Sequence, residues 1–394
     1  MDFTPHLPKD LSGSYHEDLI CLAQQVFIKS STLTGSHTKQ TIDAVVELLF
    51  IVNSYYSNMI ESEGTHPANI ERAMQKQYDD DTKNKNLQIL SLCYIDTQKS
   101  LFEEDSSLLY SVDLVKKAHF HLYSHKGMES FLRLTHEDET FEMVPGKMRQ
   151  RNVEVGRHIA PKYDEIESLL EKMSHLYSFE KNRNLTEQII ATMAYHHRLA
   201  WAHPFLDGNG RVSRLILDFS LKKILGASYG LWNISRGLAR NNNTYKTKLH
   251  NADMKRLDDR DGRGDLSQKH LYEFVKFMLE QSLDQIEFMS ECLKLETLAY
   301  RIEEYVRVFC GGAFTKPFPK GTSTILKELL LKGEIARGEV DTLLGISRRL
   351  ATEVVKKLLE LGFVRSEGNR GKLRIAFPVH MSQYIFHDLI PIDK

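Results

Sequence analysis

His203-Pro204-Phe205-Leu206-Asp207-Gly208-Asn209-Gly210-Arg211-Val212-Ser213-Arg214 packs an imidazole, a carboxylate, two glycines, an amide and two arginines into one turn leading into a helix. Gly208 and Gly210 let the backbone approach a ligand closely and take conformations closed to residues with a Cβ. The helix beyond the turn, marked by Val212, Leu215, Ile216 and Phe219, aims unsatisfied N–H groups and its positive dipole end back at it. Arg211 and Arg214 are three apart, so they share a face and fork onto phosphate oxygens. Asp207 suits a hard divalent cation such as Mg²⁺, and an imidazole with pKa near ~6.5 is the side-chain base best matched to neutral pH. The stretch reads as an anion cradle with a base beside it.

At every fixed position the string is similar to the signature of the Fic family, His-Pro-Phe-x-Asp-Gly-Asn-Gly-Arg-x-x-Arg. The resemblance implies a mainly α fold: a Fic helical core with a β-hairpin flap. It also implies transfer of AMP from ATP to a protein Ser, Thr or Tyr hydroxyl, with release of pyrophosphate. By the same resemblance His203 is the general base and Asp207 holds Mg²⁺ between the α- and β-phosphates. Gly208, Asn209 and Gly210 form the anion hole, and Arg211 and Arg214 bind the β- and γ-phosphates. Such a base is typically worth roughly 10²–10⁴ in rate. The rest of the catalysis is positioning and charge stabilisation.

Ser57-Asn58-Met59-Ile60-Glu61-Ser62 resembles the family's inhibitory motif, Ser/Thr-x-x-x-Glu-Gly/Asn, and departs from it only at Ser62. The resemblance implies that Glu61 pairs with Arg214 and denies it to the γ-phosphate. An exposed Glu–Arg pair is worth only ~0–1 kcal/mol. Holding activity near one per cent needs about 2.7 kcal/mol, so the pair is expected to be desolvated and packed. Residues 145–163 resemble the family's flap hairpin, whose edge registers a target segment by main-chain hydrogen bonds. Residues 232–245 look like the segment that closes over the nucleotide base, with Asn241 and Tyr245 as adenosine contacts. In Ala194-Tyr195-His196-His197-Arg198 the adjacent histidines fall on different helix faces, which disfavours a shared metal; one packed and one exposed is expected. Arg263-Gly264-Asp265 reads as a polar turn.

The chain has 394 residues, 41% hydrophobic and 27% charged, with a net charge of −1. These values fit soluble globular domains and give no global sign of a nucleic-acid partner. Cys21, Cys93, Cys292 and Cys310 have neither metal-ligand nor disulfide-framework spacing. No leader-like apolar run and no membrane span of roughly 18 residues is present, so a cytoplasmic location is expected.

Helical periodicity is expected around Leu19–Phe27 and over 41–62, 68–100, 106–123, 165–225 and 267–309, with a short strand near Val153 and Val155. The apolar pattern of 267–309 reads as core. The Gly/Pro-rich break at 311–321 reads as a linker. The divisions are therefore 1–105 (helical, with the inhibitory motif), 106–310 (catalytic core), 311–321 (linker) and 322–394. The last part reads as helices at 324–331, 337–344 and 348–361, then strands near 362–365 and 372–376, and resembles a winged helix. Arg348, Arg349, Lys356, Lys357, Arg370 and Lys372 give it a local basic excess that suits DNA phosphates. The expected partners are a target protein with an acceptor hydroxyl, the chain itself as acceptor, DNA, and a second copy in a homodimer; no membrane is expected. Alternatives to AMP transfer are its reversal by hydrolysis, a different nucleotide donor, and a DNA-bound regulator whose core senses nucleotide.

Overall fold

In the computed structural model, which describes residues 14–391 except 36, 137–138, 157, 179–183, 263, 312–316 and 369, the chain starts with helix α1 (Ser14–Thr32). The apolar rhythm from Thr41 becomes α2 (Lys39–Ile60), capped by the Thr38 hydroxyl, which accepts from the Thr41 N–H. The helical run expected over 68–100 divides into α3 (Pro67–Met74) and α4 (Thr82–Glu103). Lys76 turns left-handed between them (φ 62°), and the Asp81 carboxylate caps α4 by accepting from Asn84 N–H. Ser111 caps α5 (Val112–Tyr123) in the same manner.

A one-turn helix α6 (Glu129–Leu132) leads into an antiparallel hairpin, β1 (Arg133–His136) and β2 (Glu139–Glu142). The sequence reading has no strand there, because the segments are short, mostly polar and without a clear period. The flap hairpin follows as β3 (Glu154–Val155) and β4 (His158–Ile159). Three helices build the centre: α7 (Ile166–Tyr177), α8 (Leu185–Ala202) and α9 (Asn209–Leu225). Beyond them come α10 (Ser235–Arg240), α11 (Asn242–Ala252), α12 (Gln268–Cys292) and α13 (Leu295–Phe309). The apolar positions expected to be core in 267–309, among them Leu271, Phe274, Met278, Ile286, Ile302 and Phe309, are buried.

The C-terminal part is α14 (Thr322–Lys332), β5 (Glu334–Ile335), α15 (Val340–Leu344), α16 (Arg348–Glu360), β6 (Val364–Ser366), β7 (Leu373–Ile375) and α17 (Val379–Ile385). Its antiparallel sheet has the order β5-β7-β6. Strand β5 and helix α17 are additions to the sequence reading. Arg348, Arg349, Lys356 and Arg370 are exposed, while Lys372 pairs with Glu334 and Lys357 with Glu360. Residues 312–316 of the expected linker lie outside the described residues, but Phe318 is buried and its N–H donates to Cys310 O.

Among the described residues the structure is mainly helical, 66%, with small antiparallel sheets. Helix α8 lies against α9 and is covered by α1, α7 and α12; α9 is flanked on its other side by α2, α4 and α5. The signature turn is thus the α8–α9 junction, held at the centre of the apolar core. No helix among the described residues is long and apolar enough to cross a membrane.

Candidate active site

Helix α8 ends at His203, which adopts a left-handed conformation (φ 48°, ψ 59°) while its N–H donates to Leu199 O. Glycine is the usual residue at such a position, so an imidazole there carries backbone strain of the kind found at functional sites. Arg149 holds the strained turn in place. Its Nε donates to His203 O at 2.8 Å and its backbone N–H to Pro204 O at 2.9 Å. The other guanidinium nitrogens reach Arg151 O and Pro161 O, so one buried side chain ties the flap to the catalytic turn. Gly146 N–H donates to His119 Nδ1, and the His119 ring stacks on Phe205 at 3.9 Å.

The Asn209 side chain closes the loop from inside. Its Oδ1 accepts from Phe205 N–H and its Nδ2 donates to Phe205 O, both at 2.9 Å. Gly208 caps α9 at φ 78° with no side-chain acceptor, and a Cβ there would overlap the Tyr123 hydroxyl. A Cβ on Gly210 would overlap the Glu61 carboxylate. The first turn of α9 is therefore open to an anion, and a carboxylate from α2 already lies against it.

Glu61 ends α2. Its Oε1 is 2.8 Å from Arg214 Nη2, and Arg214 also donates to Ser57 Oγ at 2.8 Å and to Ser57 O at 3.0 Å. Arg214 is 1% exposed, whereas a third of the Glu61 side chain (33%) reaches solvent. Burial alone would push the Glu61 carboxyl up; the Arg214 and Arg211 guanidiniums outweigh it and hold the carboxyl below its ordinary value. The Ser62 departure also has a geometry: Ser62 is left-handed (φ 63°), the conformation that Gly or Asn takes most easily.

Arg211 is held just as closely. Its Nε donates to Asn58 Oδ1 at 3.0 Å, one terminal nitrogen to the Tyr123 hydroxyl at 3.1 Å, and the other to the Glu63 carboxylate. Nothing in the sequence reading singled out Glu63, Arg149 or Tyr123.

Burial, with His158 and Arg149 nearby, pushes the His203 imidazole down to about 4. A hydrogen bond to the Ala200 backbone engages one ring nitrogen and leaves the other able to accept a proton. Burial raises the Asp207 carboxyl; the Gly208 N–H opposes this and Glu61 adds to it. Among the described residues Asp207 has no cation partner and no cluster of three or more His, Cys, Asp or Glu is placed to hold a metal. A buried hard oxygen donor with no cation of the protein beside it fits a Mg²⁺ ion brought in with phosphates.

His196 and His197 are both buried, which corrects the expectation that one would be exposed. His196 joins Ser213 O to the Tyr245 hydroxyl, and His197 bonds to Asp253 at 3.0 Å. Asp253 also meets His158 of the flap at 3.3 Å, and these partners outweigh its burial and draw its carboxyl down to about 2. Tyr245 lies in the interior, 3% exposed, with its ring against His196 and Phe274, so in this conformation it offers no open face to a base. Asn241 is at the exposed α10–α11 junction, bonded to Gly237 O and Gln281.

A family model described as Fic/DOC family matches residues 110–221. A protein adenylyltransferase Fic from Drosophila mojavensis is 36% identical over 78 residues, and one from Drosophila grimshawi 35%. Each match covers 20% of this chain and only 15% and 16% of those relatives. Among solved structures, a Fic family protein from Desulfovibrio desulfuricans G20 is similar over 95% of this chain and 98% of its own (TM-score 0.53, 15% identity). A Fic domain containing signaling protein from Bacteroides thetaiotaomicron VPI-5482 is similar over 68% of this chain and 96% of its own (TM-score 0.51, 14% identity). At such identities the structures speak for the fold alone. The α8–α9 junction with its strained histidine thus lies inside the segment, residues 110–221, that matches the Fic/DOC family, and the chain carries a Fic domain there.

Proposed function

We propose that this chain is a protein adenylyltransferase held in check by Glu61. The reading is carried by one observation: the Glu61 carboxylate lies against the open first turn of α9 and on Arg214, in the place an anionic phosphate would take. In the reaction His203 accepts the proton of a target hydroxyl, whose oxygen attacks the α-phosphorus of ATP. The bond from that phosphorus to the bridging oxygen breaks and pyrophosphate leaves. Arg211, Arg214 and the α9 N–H groups would bind the phosphates, and Asp207 would hold Mg²⁺. The metal would neutralise charge shared between the α- and β-phosphates. The flap edge, where Ile159 is exposed, would align the target segment by main-chain hydrogen bonds.

Incubation with ATP labelled at the α-phosphate tests this. Glu61→Gly is expected to raise protein labelling, self-modification included, roughly tenfold or more, the scale that ~1.4 kcal/mol of lost bias implies. Adding His203→Ala to that variant is expected to abolish it. Label arriving from the γ-phosphate instead would contradict AMP transfer.

A further inference from the structure

The two guanidiniums at the α9 terminus are held by two different carboxylates, and only the one on Arg214 belongs to the motif quoted above. Arg211 is 3% exposed, and its three hydrogen-bonding nitrogens go to Asn58, Tyr123 and Glu63. Asn58 and Tyr123 are neutral and come from the walls of the site. Glu63 is different: it stands in the turn after α2, 38% of its side chain reaches solvent, and Arg211 is the ion-pair partner it is given. Its place is fixed by the way α2 ends. Ser62 N–H donates to Met59 O and Glu63 N–H to Asn58 O, so the reversal at Ser62 turns residue 63 back towards α9.

We propose that Glu63 is a second inhibitory carboxylate, withholding Arg211 as Glu61 withholds Arg214. This rests on the reading of the α9 terminus as a phosphate site. A polyphosphate must then displace two carboxylates, one from each arginine, before both guanidiniums turn to it. Loss of Glu61 alone leaves Arg211 held. AMP has no β- or γ-phosphate to reach either guanidinium, so it displaces neither carboxylate, and the two clamps weigh on a polyphosphate alone.

Glu63→Gln keeps the shape and removes the charge, and the exposed amide needs no buried partner. Binding of inorganic triphosphate with Mg²⁺, and separately of AMP, is measured by calorimetry on the full chain in four forms: wild type, Glu63→Gln, Glu61→Gly and the double variant. Glu63→Gln is expected to tighten triphosphate about twofold to fivefold in both backgrounds, from the worth of a half-exposed pair. AMP binding is expected to stay unchanged. Triphosphate affinity unaltered by Glu63→Gln in both backgrounds overturns the proposal, as does a purely structural effect, namely a lower melting temperature with equal affinities. These measurements involve no AMP transfer. A Glu61→Gly variant that binds triphosphate but labels no protein therefore counts against the proposed reaction, separately from the role of Glu63.

Discussion

At the scale of single residues, the site depends on an imidazole kept neutral. Burial first, then the nearby His158 and Arg149, lower the His203 imidazole to about 4, against the smaller opposing pull of Glu61. Two consequences follow in the same direction. The base is competent at any pH above about 4, so the acid limb of kcat/KM for the derepressed Glu61→Gly enzyme is expected near pH 4 and not near the unperturbed ~6.5. Removing Glu61 takes away a charge that raises the group, so the limb does not move upward in that variant. A labelling profile between pH 4 and 8 that falls at 6.5 would contradict this. For folding, the unfolded chain binds the proton more tightly, so the contribution of this residue to stability is present above ~6.5 and is lost as pH falls toward 4. His203 stands out in the sequence as a candidate base through the string around it, but the lowering of its imidazole leaves no local mark, since its causes come from the fold: burial, and Arg149, which reaches its carbonyl across 54 positions.

At the scale of elements, α2 and α9 are joined by a row of polar rungs. Asn53 donates to Asp218 at 2.7 Å, Ser57 accepts from Arg214 one turn further on, and Glu61 takes the same arginine one turn after that. Residues 53, 57 and 61 recur every four positions, which puts them on one helix face. The end of that row is the strained Ser62. Ser62→Gly removes the cost of a left-handed Cβ, about 1–2 kcal/mol, and adds back roughly 0.4–1 kcal/mol of unfolded-chain entropy. A net gain of up to about 1.6 kcal/mol is expected, read as a higher midpoint in urea with Glu61 still in place; a lower midpoint would mean that Ser62 makes a contact that offsets the strain. Most helices, and the meeting of Glu61 with Arg214, were legible in the sequence because their signals are local: apolar period, caps and a short spaced pattern. Glu63 meets Arg211 across 148 positions, and the β1–β2 hairpin has no apolar alternation, so neither left a local signal.

At the scale of the molecule, the C-terminal part is seated on α2, the helix that ends at Glu61. Strand β7 lies against α2, and the segment after α17 is hydrogen-bonded to Tyr56 of α2 and Arg236 of α10. Its Leu389 carbonyl accepts from the Tyr56 hydroxyl at 3.2 Å, and its Pro391 carbonyl is 2.9 Å from His66 Nε2. Those two partners bracket Ser57–Glu61. The main anchor is Arg236, 2% exposed, which donates twice to Asp388 O (3.1 and 2.9 Å) and once to Gln285 Oε1 (3.1 Å), with its guanidinium 3.7 Å from the Phe288 ring centroid. Alanine there loses charged hydrogen bonds and the ring contact together, so a cost of about 3 kcal/mol is expected. Lysine keeps the charge but not the fork, and is expected to fall between alanine and wild type. Thermal melting orders the three proteins. Hydrogen exchange then locates the effect: faster exchange is expected in residues 386–391 and, through Tyr56, in residues 56–61. If Arg236→Ala melts with the wild type, or if exchange rises in the tail while 56–61 is unmoved, the C-terminal part does not brace the inhibitory turn.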